Sequence, residues 1–322
     1  MKIHFLNPGS IDQISGGYIF NKHFVASLSA NVDDFSLHEL SNLEEWNQDS
    51  TDDSDVFIID SLLFFKDHDV SKNFMQGRKV IPLIHLSEGL QHEKRIADEM
   101  SLLEGLNIIV TSEFVKTTLQ RDYQLAPDKI LVIEPGVAVL SKKEHYPDRI
   151  QHFICVSNLV KRKRILKLLQ ILNELKDYDW TLEIIGDAEI DVEYAQSILD
   201  FIQSQQLGDR VKVHAPMEQK KLFDLMRSKD MLLHLAVYET FGMCIFEAAA
   251  IGLPILSTKT GAWEDLRRYP LAGFIATDDL GAYKKALEHV LGSKFERVDE
   301  KVLHQSIYQW DDMAEKFIKW LS

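Results

Sequence analysis

Two glutamates enclose the stretch of sequence whose residue types point most directly to chemistry. Seven residues separate Glu239 from Glu247, and the pattern between them predicts a loop followed by a short helix that ends at Gly252. The backbone N–H groups of 241–243 would open that helix, where a partial positive charge suits a phosphate or a developing negative charge. Carboxylates on either side of such a helix start can bind sugar hydroxyls at two places.

A basic run lies between a predicted strand, His152–Val156, and a predicted amphipathic helix, Ile165–Leu175. Residues 161–164 read Lys-Arg-Lys-Arg. Cations at the amino end of a helix face its partial positive charge, which is unfavourable unless an anion is bound there. The planar guanidinium of Arg162 or Arg164 suits a phosphate group. The run therefore predicts an anion site.

Both features have a simpler interpretation. Isolated glutamates are mostly exposed, so Glu239 could be a solvated loop residue and Glu247 an exposed helix residue. The basic run could be a solvated helix start. The sequence favours the binding interpretation in each case but leaves the simpler one open.

Three weaker features occur at predicted strand ends. Gly16 and Gly17 follow the first strand and precede a helix-like stretch, where glycines let the backbone approach a ligand closely, although a plain turn is as good an explanation. His85 ends the predicted strand Lys79–His85, where a structural histidine is the simpler alternative. Gly186 follows the predicted strand Thr181–Ile185, and a helix-capping turn explains it equally well.

The elements that must position these residues alternate between short apolar strands and amphipathic helices, which predicts doubly wound α/β domains. A polar segment, 141–150, contains Pro147 and predicts a hinge between two series of strands. In parallel sheets ligands bind at the carboxyl ends of strands, so a cleft between the two domains is the expected site. The remaining predicted strands are Lys2–Leu6, Val56–Asp60, Asn107–Thr111, Ile130–Ile133, Val211–His214, Met231–Leu235 and Pro254–Ser257. The remaining predicted helices are Glu193–Gln206, Gln219–Ser228, Met243–Ile251 and a terminal packing helix within 308–321.

Length and composition narrow the class of protein. A chain of 322 residues is expected to form two domains, and 45% hydrophobic with 27% charged residues is typical of a globular protein. The formal net charge of −14 disfavours a non-specific nucleic-acid binder. Neither a transmembrane segment nor a secretion signal is predicted, and Cys155 and Cys244 predict neither a disulfide framework nor a zinc site. The expected location is the cytoplasm, and no tightly bound metal is expected.

The residues around the two glutamates resemble the signature of the family 4 retaining glycosyltransferases, also described as glycosyl transferases group 1. The resemblance rests on the glutamates with seven residues between them, the small-residue helix and the strand start Gly252-Leu253-Pro254. It is greatest over 230–265. It implies the GT-B fold: two Rossmann-like, doubly wound parallel-sheet domains facing a cleft, with a C-terminal helix crossing back to the first domain. The implied boundaries are 1–142 for the acceptor-side domain, 150–305 for the nucleotide-sugar domain and 306–322 for the crossing helix.

The resemblance also implies roles for individual residues. Glu239 would contact hydroxyls of the transferred sugar, Glu247 would hold the ribose hydroxyls, and His85 would face the donor sugar. Lys163 would neutralise the donor diphosphate. The residues expected to line the donor site besides these are Gly16, Gly17, Asn158, Arg162, Gly186, Phe241, Gly242 and Met243. One of them is a departure, because Asn158 stands where the family has an arginine, and Arg162 or Arg164 would have to compensate.

The implied activity is a retaining, metal-independent transfer of a sugar from a nucleotide-diphosphate sugar to an acceptor hydroxyl, without a further cofactor. The acceptor would be a glycan, a small molecule or a lipid-linked compound. A non-catalytic partner of the same fold stays open because of Asn158, and so does a nucleotide-sugar epimerase, which the two-glutamate segment disfavours. A phosphorylase would need a cofactor lysine or phosphate site that the sequence does not reveal.

Overall fold

The computed structural model divides the chain into two compact units, each built around a parallel β-sheet. Unit 1 is Met1–Gly136 with Tyr308–Ser322, and unit 2 is Val137–Ile307. The structure describes residues 1–46, 52–86, 89, 96–137, 143, 145–263, 274–277, 279–294, 310 and 313–321. The exact residues at which the domains were expected to begin and end stay predictions.

Unit 1 contains a six-stranded sheet in the order β2-β1-β3-β4-β5-β6, with parallel pairing throughout. Alternate residues of a strand point to opposite faces, so Phe57 and Ile59 pack in one apolar cluster while Val56 and Ile58 pack in another. The sheet is therefore buried on both faces. Its strands are β1 Ile3–Pro8, β2 Phe35–Leu40, β3 Val56–Asp60, β4 Lys79–Ile84, β5 Ile108–Val110 and β6 Ile130–Val132.

The strand β2 was not predicted from the sequence. It is an edge strand whose residues are half-buried or exposed, so it lacks the continuous apolar run that marks the buried strands. The described helices of unit 1 that precede unit 2 are α1 Gly16–Asn31, α2 Ser61–Phe64, α3 His68–Met75, α4 Ile96–Leu103 and α5 Glu113–Asp122.

Unit 2 contains a second six-stranded parallel sheet, in the order β12-β11-β10-β7-β8-β9. This order is that of a doubly wound sheet whose direction of winding reverses between β7 and β10. The strands are β7 His152–Val156, β8 Thr181–Ile185, β9 Val211–His214, β10 Met231–His234, β11 Ile255–Thr258 and β12 Phe274–Thr277. The strands β7, β8 and β9 were predicted with their observed ends, and β10 and β11 to within one residue at each end. The strand β12 was not predicted.

Four predicted helices of unit 2 are confirmed to within two residues at each end. Each follows a strand and packs its apolar stripe on the sheet, as for Leu168, Leu169 and Leu172 of α6. The described helices are α6 Ile165–Glu174, α7 Val192–Ser204, α8 Gln219–Arg227, α9 Met243–Ala250 and α10 Leu280–Gly292.

The chain returns to unit 1 in a last helix, α11 Met313–Leu321, which confirms the predicted packing helix. Met313, Ala314 and Phe317 are buried against α1, and the ring of Phe317 lies edge-on to that of Phe24 at 5.8 Å between centroids. Tyr308, which the sequence analysis placed in the same segment, lies outside the described residues. Among the helices that the structure describes, none has the length and hydropathy needed to span a membrane.

The predicted hinge at 141–150 is corrected in the part that the structure describes, because these residues are anchored on unit 2. Lys143 is buried, and its ammonium donates hydrogen bonds to the carbonyls of Arg227 and Lys229 at the end of α8. The hydroxyl of Tyr146 donates to the carbonyl of Gly252 at 2.6 Å. A cation suits the partial negative charge at the end of a helix, which explains why this polar segment packs instead of forming a free linker.

Two histidines on the first two strands should make the folding of unit 1 sensitive to acid. His4 Nδ1 lies 3.2 Å from His38 Nε2, and the hydroxyl of Ser36 is within 2.9 Å of both. Burial lowers the pKa of His4, despite Asp55 3.5 Å away, and burial together with His4 and Lys2 lowers the pKa of His38 to about 4. Both rings are therefore neutral in the folded protein near pH 7.

Because these pKa values are lower in the folded state than the unfolded value of about 6.5, the unfolded chain takes up protons first as the pH falls. We expect full stability above about pH 6.5 and a progressive loss towards pH 4. His38→Gln retains a polar atom near the position of Nε2 and should reduce the loss measured by urea denaturation at pH 7.5 and 5.0. His289→Asn, on the exposed side of α10, is the control, and an equal pH dependence in both variants would contradict the assignment.

Candidate donor site

The two most informative sequence segments meet at the point where the winding of the unit 2 sheet reverses. The strands β7 and β10 are neighbours there, and ligands bind outside the carboxyl ends of strands at such a point. The basic run follows β7, and the loop with Glu239 follows β10. A backbone hydrogen bond of 2.8 Å from the Val237 N–H to the Arg162 carbonyl ties these two loops together.

Glu239 is buried at 7% exposure and is surrounded by cations. Its Oε1 contacts the Lys163 ammonium and lies 2.9 Å from His234 Nε2, and its Oε2 lies 3.8 Å from Arg162 Nη1. Burial alone would raise the pKa of Glu239, but Lys163, His234 and Arg162 together hold it well below its usual range. The side chain is therefore a carboxylate whose two oxygens face different cations.

The backbone around Glu239 is held by the loop after β11. The Glu239 N–H donates to Thr260 Oγ1 at 2.9 Å. Gly261 has a φ of +67°, and a Cβ there would lie 2.8 Å from Glu239 Cβ. Only glycine permits this close approach, so the loop 260–262 positions Glu239 directly.

The helix α9 begins at Met243, with Gly242 as its amino-terminal cap at a φ of +93°. Gly242 has no side chain that could accept a hydrogen bond, so no side-chain cap covers the amino end of α9, where a ligand could bind. Phe241 is buried and stacks on Phe246 at 4.2 Å between ring centroids, which fixes the turn that precedes the helix. Residues 241–243 thus occupy the predicted helix start.

Glu247 is also buried, at 5% exposure, on the second turn of α9. Burial raises its pKa to about 7, although a hydrogen bond with Gln219 of α8 acts in the opposite direction. The interpretation of Glu239 and Glu247 as ordinary exposed residues is therefore wrong. Burying two carboxyl groups in one loop and helix costs free energy of folding, and such buried groups are typical of binding sites.

The basic run lies at the amino end of α6, as predicted. Lys161–Lys163 form a 3-10 turn, and Arg164, at a φ of +54°, is the amino-terminal cap residue of α6. The 3-10 turn directs Lys163 and Arg162 to Glu239, and the Arg162 guanidinium also lies 3.4 Å from the Tyr238 carbonyl.

Asn158 and Gly186 lie side by side at the ends of β7 and β8. Asn158 Oδ1 accepts a 3.4 Å hydrogen bond from the Asp187 N–H, so this side chain joins the two strand ends. A Cβ on Gly186 would lie 1.9 Å from the Ser157 carbonyl oxygen. The glycine is therefore explained by close backbone packing, and a ligand contact for Asn158 or Gly186 stays a prediction.

In unit 1 the predicted residues gather where the winding of that sheet reverses, beside β1 and β3. His85 Nε2 lies 2.6 Å from Asn21 Oδ1 and 3.7 Å from Asp60 Oδ2, and the position of a Cβ on Gly17 is 3.5 Å from the His85 ring. Burial lowers the pKa of His85, and Asp60 opposes that shift. Gly16 is the first residue of α1. Because Nε2 faces Asn21, the other ring nitrogen, Nδ1, is the one that can face a ligand.

Several polar residues of these sites were not found from the sequence. They include His234 and Ser257 in unit 2, and Asn7, Asn21 and Asp60 in unit 1, where Asn21 donates to Asn7 and to Asp60. Three of them stand at the ends of apolar strands: His234 and Asp60 are the last residues of their strands, and Asn7 is the last but one. This position in a parallel sheet does indicate a ligand-facing edge. Asn21 and Ser257 carry no such signal.

A comparison with known proteins agrees with this geometry. The family described as "Glycosyl transferases group 1" matches residues 139–300, which is half of the chain. The chain belongs to this family. The match contains both loops of the candidate donor site.

Individual relatives have low sequence identity to this chain. N-acetyl-alpha-D-glucosaminyl L-malate synthase of Bacillus anthracis is 23% identical over 204 residues, which cover 62% of this chain and 52% of that protein. The chain spans about half the length of the curated relatives it matches. Among solved structures, sucrose-phosphate synthase of Thermosynechococcus elongatus aligns at 16% identity with a TM-score of 0.70, covering 99% of this chain and 98% of that one. Anabaena HepE in complex with UDP and glucose also aligns at 16% identity and 0.70, over 100% and 99% of the two chains. These structures share the GT-B fold with this chain.

Proposed function

We propose that this protein transfers a sugar from a nucleotide-diphosphate sugar to an acceptor hydroxyl. The observation that carries the proposal is the buried Glu239 carboxylate, which faces Lys163 and Arg162 beside the uncapped amino end of α9. Cations and helix amides together suit a diphosphate, and a carboxylate next to them suits the hydroxyls of the attached sugar. The HepE structure, which is a complex with UDP and glucose, supports the same class of donor.

Departure of the nucleotide diphosphate is the step that this arrangement favours. Negative charge builds on the leaving diphosphate as the bond to the sugar breaks, and fixed cations and backbone dipoles stabilise that charge. Lys163 and the amides of 241–243 supply them. In the ligand-free protein the Lys163 ammonium contacts Glu239, so a bound diphosphate would share this cation with the carboxylate.

We further propose that the reaction retains the configuration of the sugar and needs no metal. Glu239 is unsuited to act as a nucleophile, because its Oε1 is engaged by Lys163 and His234. The departing phosphate would then accept the proton of the incoming hydroxyl on the same face of the sugar. Glu247, on the following turn, would accept hydrogen bonds from the ribose hydroxyls.

The residues of unit 1 are proposed to contribute to the same reaction. His85 would accept a hydrogen bond from the donor sugar through Nδ1, and Gly16 and Gly17 would let the backbone approach the ligand closely. The acceptor is proposed to be a glycan, a small molecule or a lipid-linked compound, used in the cytoplasm.

One observation favours a second candidate, a non-catalytic partner with the same fold. Asn158 replaces an expected cation and is used to join two strand ends. Arg162 is the residue that could compensate, since its guanidinium already lies near Glu239.

Donor binding tests the proposal. We expect one series among UDP-, GDP- and ADP-sugars to raise the melting temperature, because a ligand at 100 times its Kd stabilises the native state by about 2.7 kcal/mol. Glu247→Ala and Lys163→Ala should reduce the ligand-induced shift, whereas Glu288→Ala on the exposed side of α10 should not. If no nucleotide sugar shifts the wild-type protein, the transferase proposal fails and the non-catalytic partner takes its place.

A further inference from the structure

His234 is a buried residue at the end of β10 to which neither the family resemblance nor the comparisons assign a role. Its side chain is 3% exposed and lies between Ser257 of β11 and Glu239. The charged groups around it are Glu239, with Lys163 and Arg162 on the far side of that carboxylate. From α10, Tyr283 reaches the backbone of His234. The ring is thus enclosed by groups with defined hydrogen-bonding roles.

The hydroxyl of Ser257 anchors one ring nitrogen. Ser257 Oγ lies 3.1 Å from His234 Nδ1 and 2.8 Å from the Thr258 carbonyl oxygen. Nδ1 is therefore held from behind by a side chain of the neighbouring strand, β11.

The carboxylate of Glu239 determines the state of the other nitrogen. Glu239 Oε1 lies 2.9 Å from His234 Nε2, and an ionised carboxyl group is an acceptor only. Nε2 therefore carries the proton of this hydrogen bond, and the ring is held between Ser257 behind it and the carboxylate in front of it.

We propose that His234 is a positioning residue, whose Nε2–H holds the Glu239 carboxylate in place while Ser257 anchors Nδ1. This inference rests on the proposed function, in which Lys163 and Arg162 are shared with the diphosphate when the donor binds. His234 lies on a strand and is fixed by β11, so it is the partner that keeps its contact with Glu239. Oε1 then stays bound to protein, and Oε2 is left to receive a sugar hydroxyl.

The hydrogen bond at Nε2 can be measured without any activity. In protein labelled with ¹⁵N-histidine, the His234 signals, assigned by their loss in His234→Gln, should show a proton on Nε2 at pH 7.5. Glu239→Gln should shift the Nε2 signal, because the carboxylate that accepts this hydrogen bond has gone. A wild-type His234 without a proton on Nε2 would overturn the inference.

The positioning role is tested by a matched pair of variants. The amide of His234→Gln can donate from the position of Nε2, whereas that of His234→Asn reaches only the position of Nδ1. We expect His234→Asn to lower kcat about 10- to 100-fold with less than about a threefold change in donor KM, because a misplaced catalytic group costs rate more than binding. His234→Gln should recover most of that loss. Ser257→Ala, a small change, should lower kcat by about threefold to tenfold through the loss of the hydrogen-bond partner of Nδ1.

The outcomes separate the two proposals. If the wild-type protein turns over the donor and the variants His234→Asn, His234→Gln and Ser257→Ala all have the same kcat, the positioning role is overturned. The transferase proposal then still stands. Equal losses of melting temperature in the two His234 variants without the difference in kcat would indicate a packing role only, and would also overturn it. Absence of donor binding by the wild-type protein would instead overturn the proposed function.

Discussion

Replacing Glu239 with glutamine should lower kcat for sugar transfer about 100-fold. Glutamine has nearly the same shape but carries no charge, so it weakens the hydrogen bond to the donor sugar, and charge-assisted hydrogen bonds contribute about 1.5–3 kcal/mol. It also removes the partner that now holds Lys163 and His234, which leaves both side chains without their fixed orientation. The measurement is release of the nucleotide from the donor that the binding screen identifies, at saturating donor.

The same variant should still bind the nucleotide. Lys163 and the amino end of α9 remain, and removal of a neighbouring carboxylate lowers the repulsion felt by a diphosphate. Glu288→Gln, an exposed change of the same type on α10, controls for the loss of one negative charge. Turnover by Glu239→Gln within about threefold of wild type would contradict the role of this carboxylate.

Replacing Gly186 with alanine should be the most destabilising small change in unit 2. The new Cβ would lie 1.9 Å from the Ser157 carbonyl oxygen and 2.5 Å from its carbon, and both are backbone atoms that cannot move without separating β7 from β8. Overpacking of this kind costs about 3 kcal/mol. For a unit of this size that corresponds to a decrease in the melting temperature of roughly 6 to 12 °C.

Gly208→Ala is the matched control. Among the described residues, the position of a Cβ on Gly208 has no atom within 4 Å, so the same methyl group meets open space in the same unit. We expect its melting temperature to stay within about 2 °C of wild type. If calorimetry gives the same melting temperature for the two variants, the close approach of β7 and β8 at Gly186 is not present in solution.

The elements of the fold could largely be predicted because they depend on local patterns. Buried parallel strands favour apolar runs, and the strands at 152–156 and 181–185 were identified with their observed ends although Glu183 interrupts the second. The edge strand β2 was missed because its residues are half-buried or exposed and include the polar Ser36, His38 and Glu39, and β12 was also missed. The spacing of Glu239 and Glu247 around a helix start was also visible, since both residues belong to one loop and helix.

The electrostatics of the donor site could not be predicted in the same way. Lys163 and Glu239 are 76 positions apart, and they meet because β7 and β10 are neighbours in the sheet. Local propensities do not encode strand order, so the ion pair emerges only from the packing of the sheet. The same packing places the 3-10 turn of the basic run beside Glu239.

The sequence by itself determined the family and the two α/β domains, and it predicted residues that would contact a nucleotide sugar. The tertiary structure decided which of those residues are buried and what they contact, including the basic side chains around Glu239 and the position of His234 between Ser257 and the carboxylate. The physical reason is that residue types and spacing set local conformation, whereas burial and ionisation depend on groups that only the folded chain brings together.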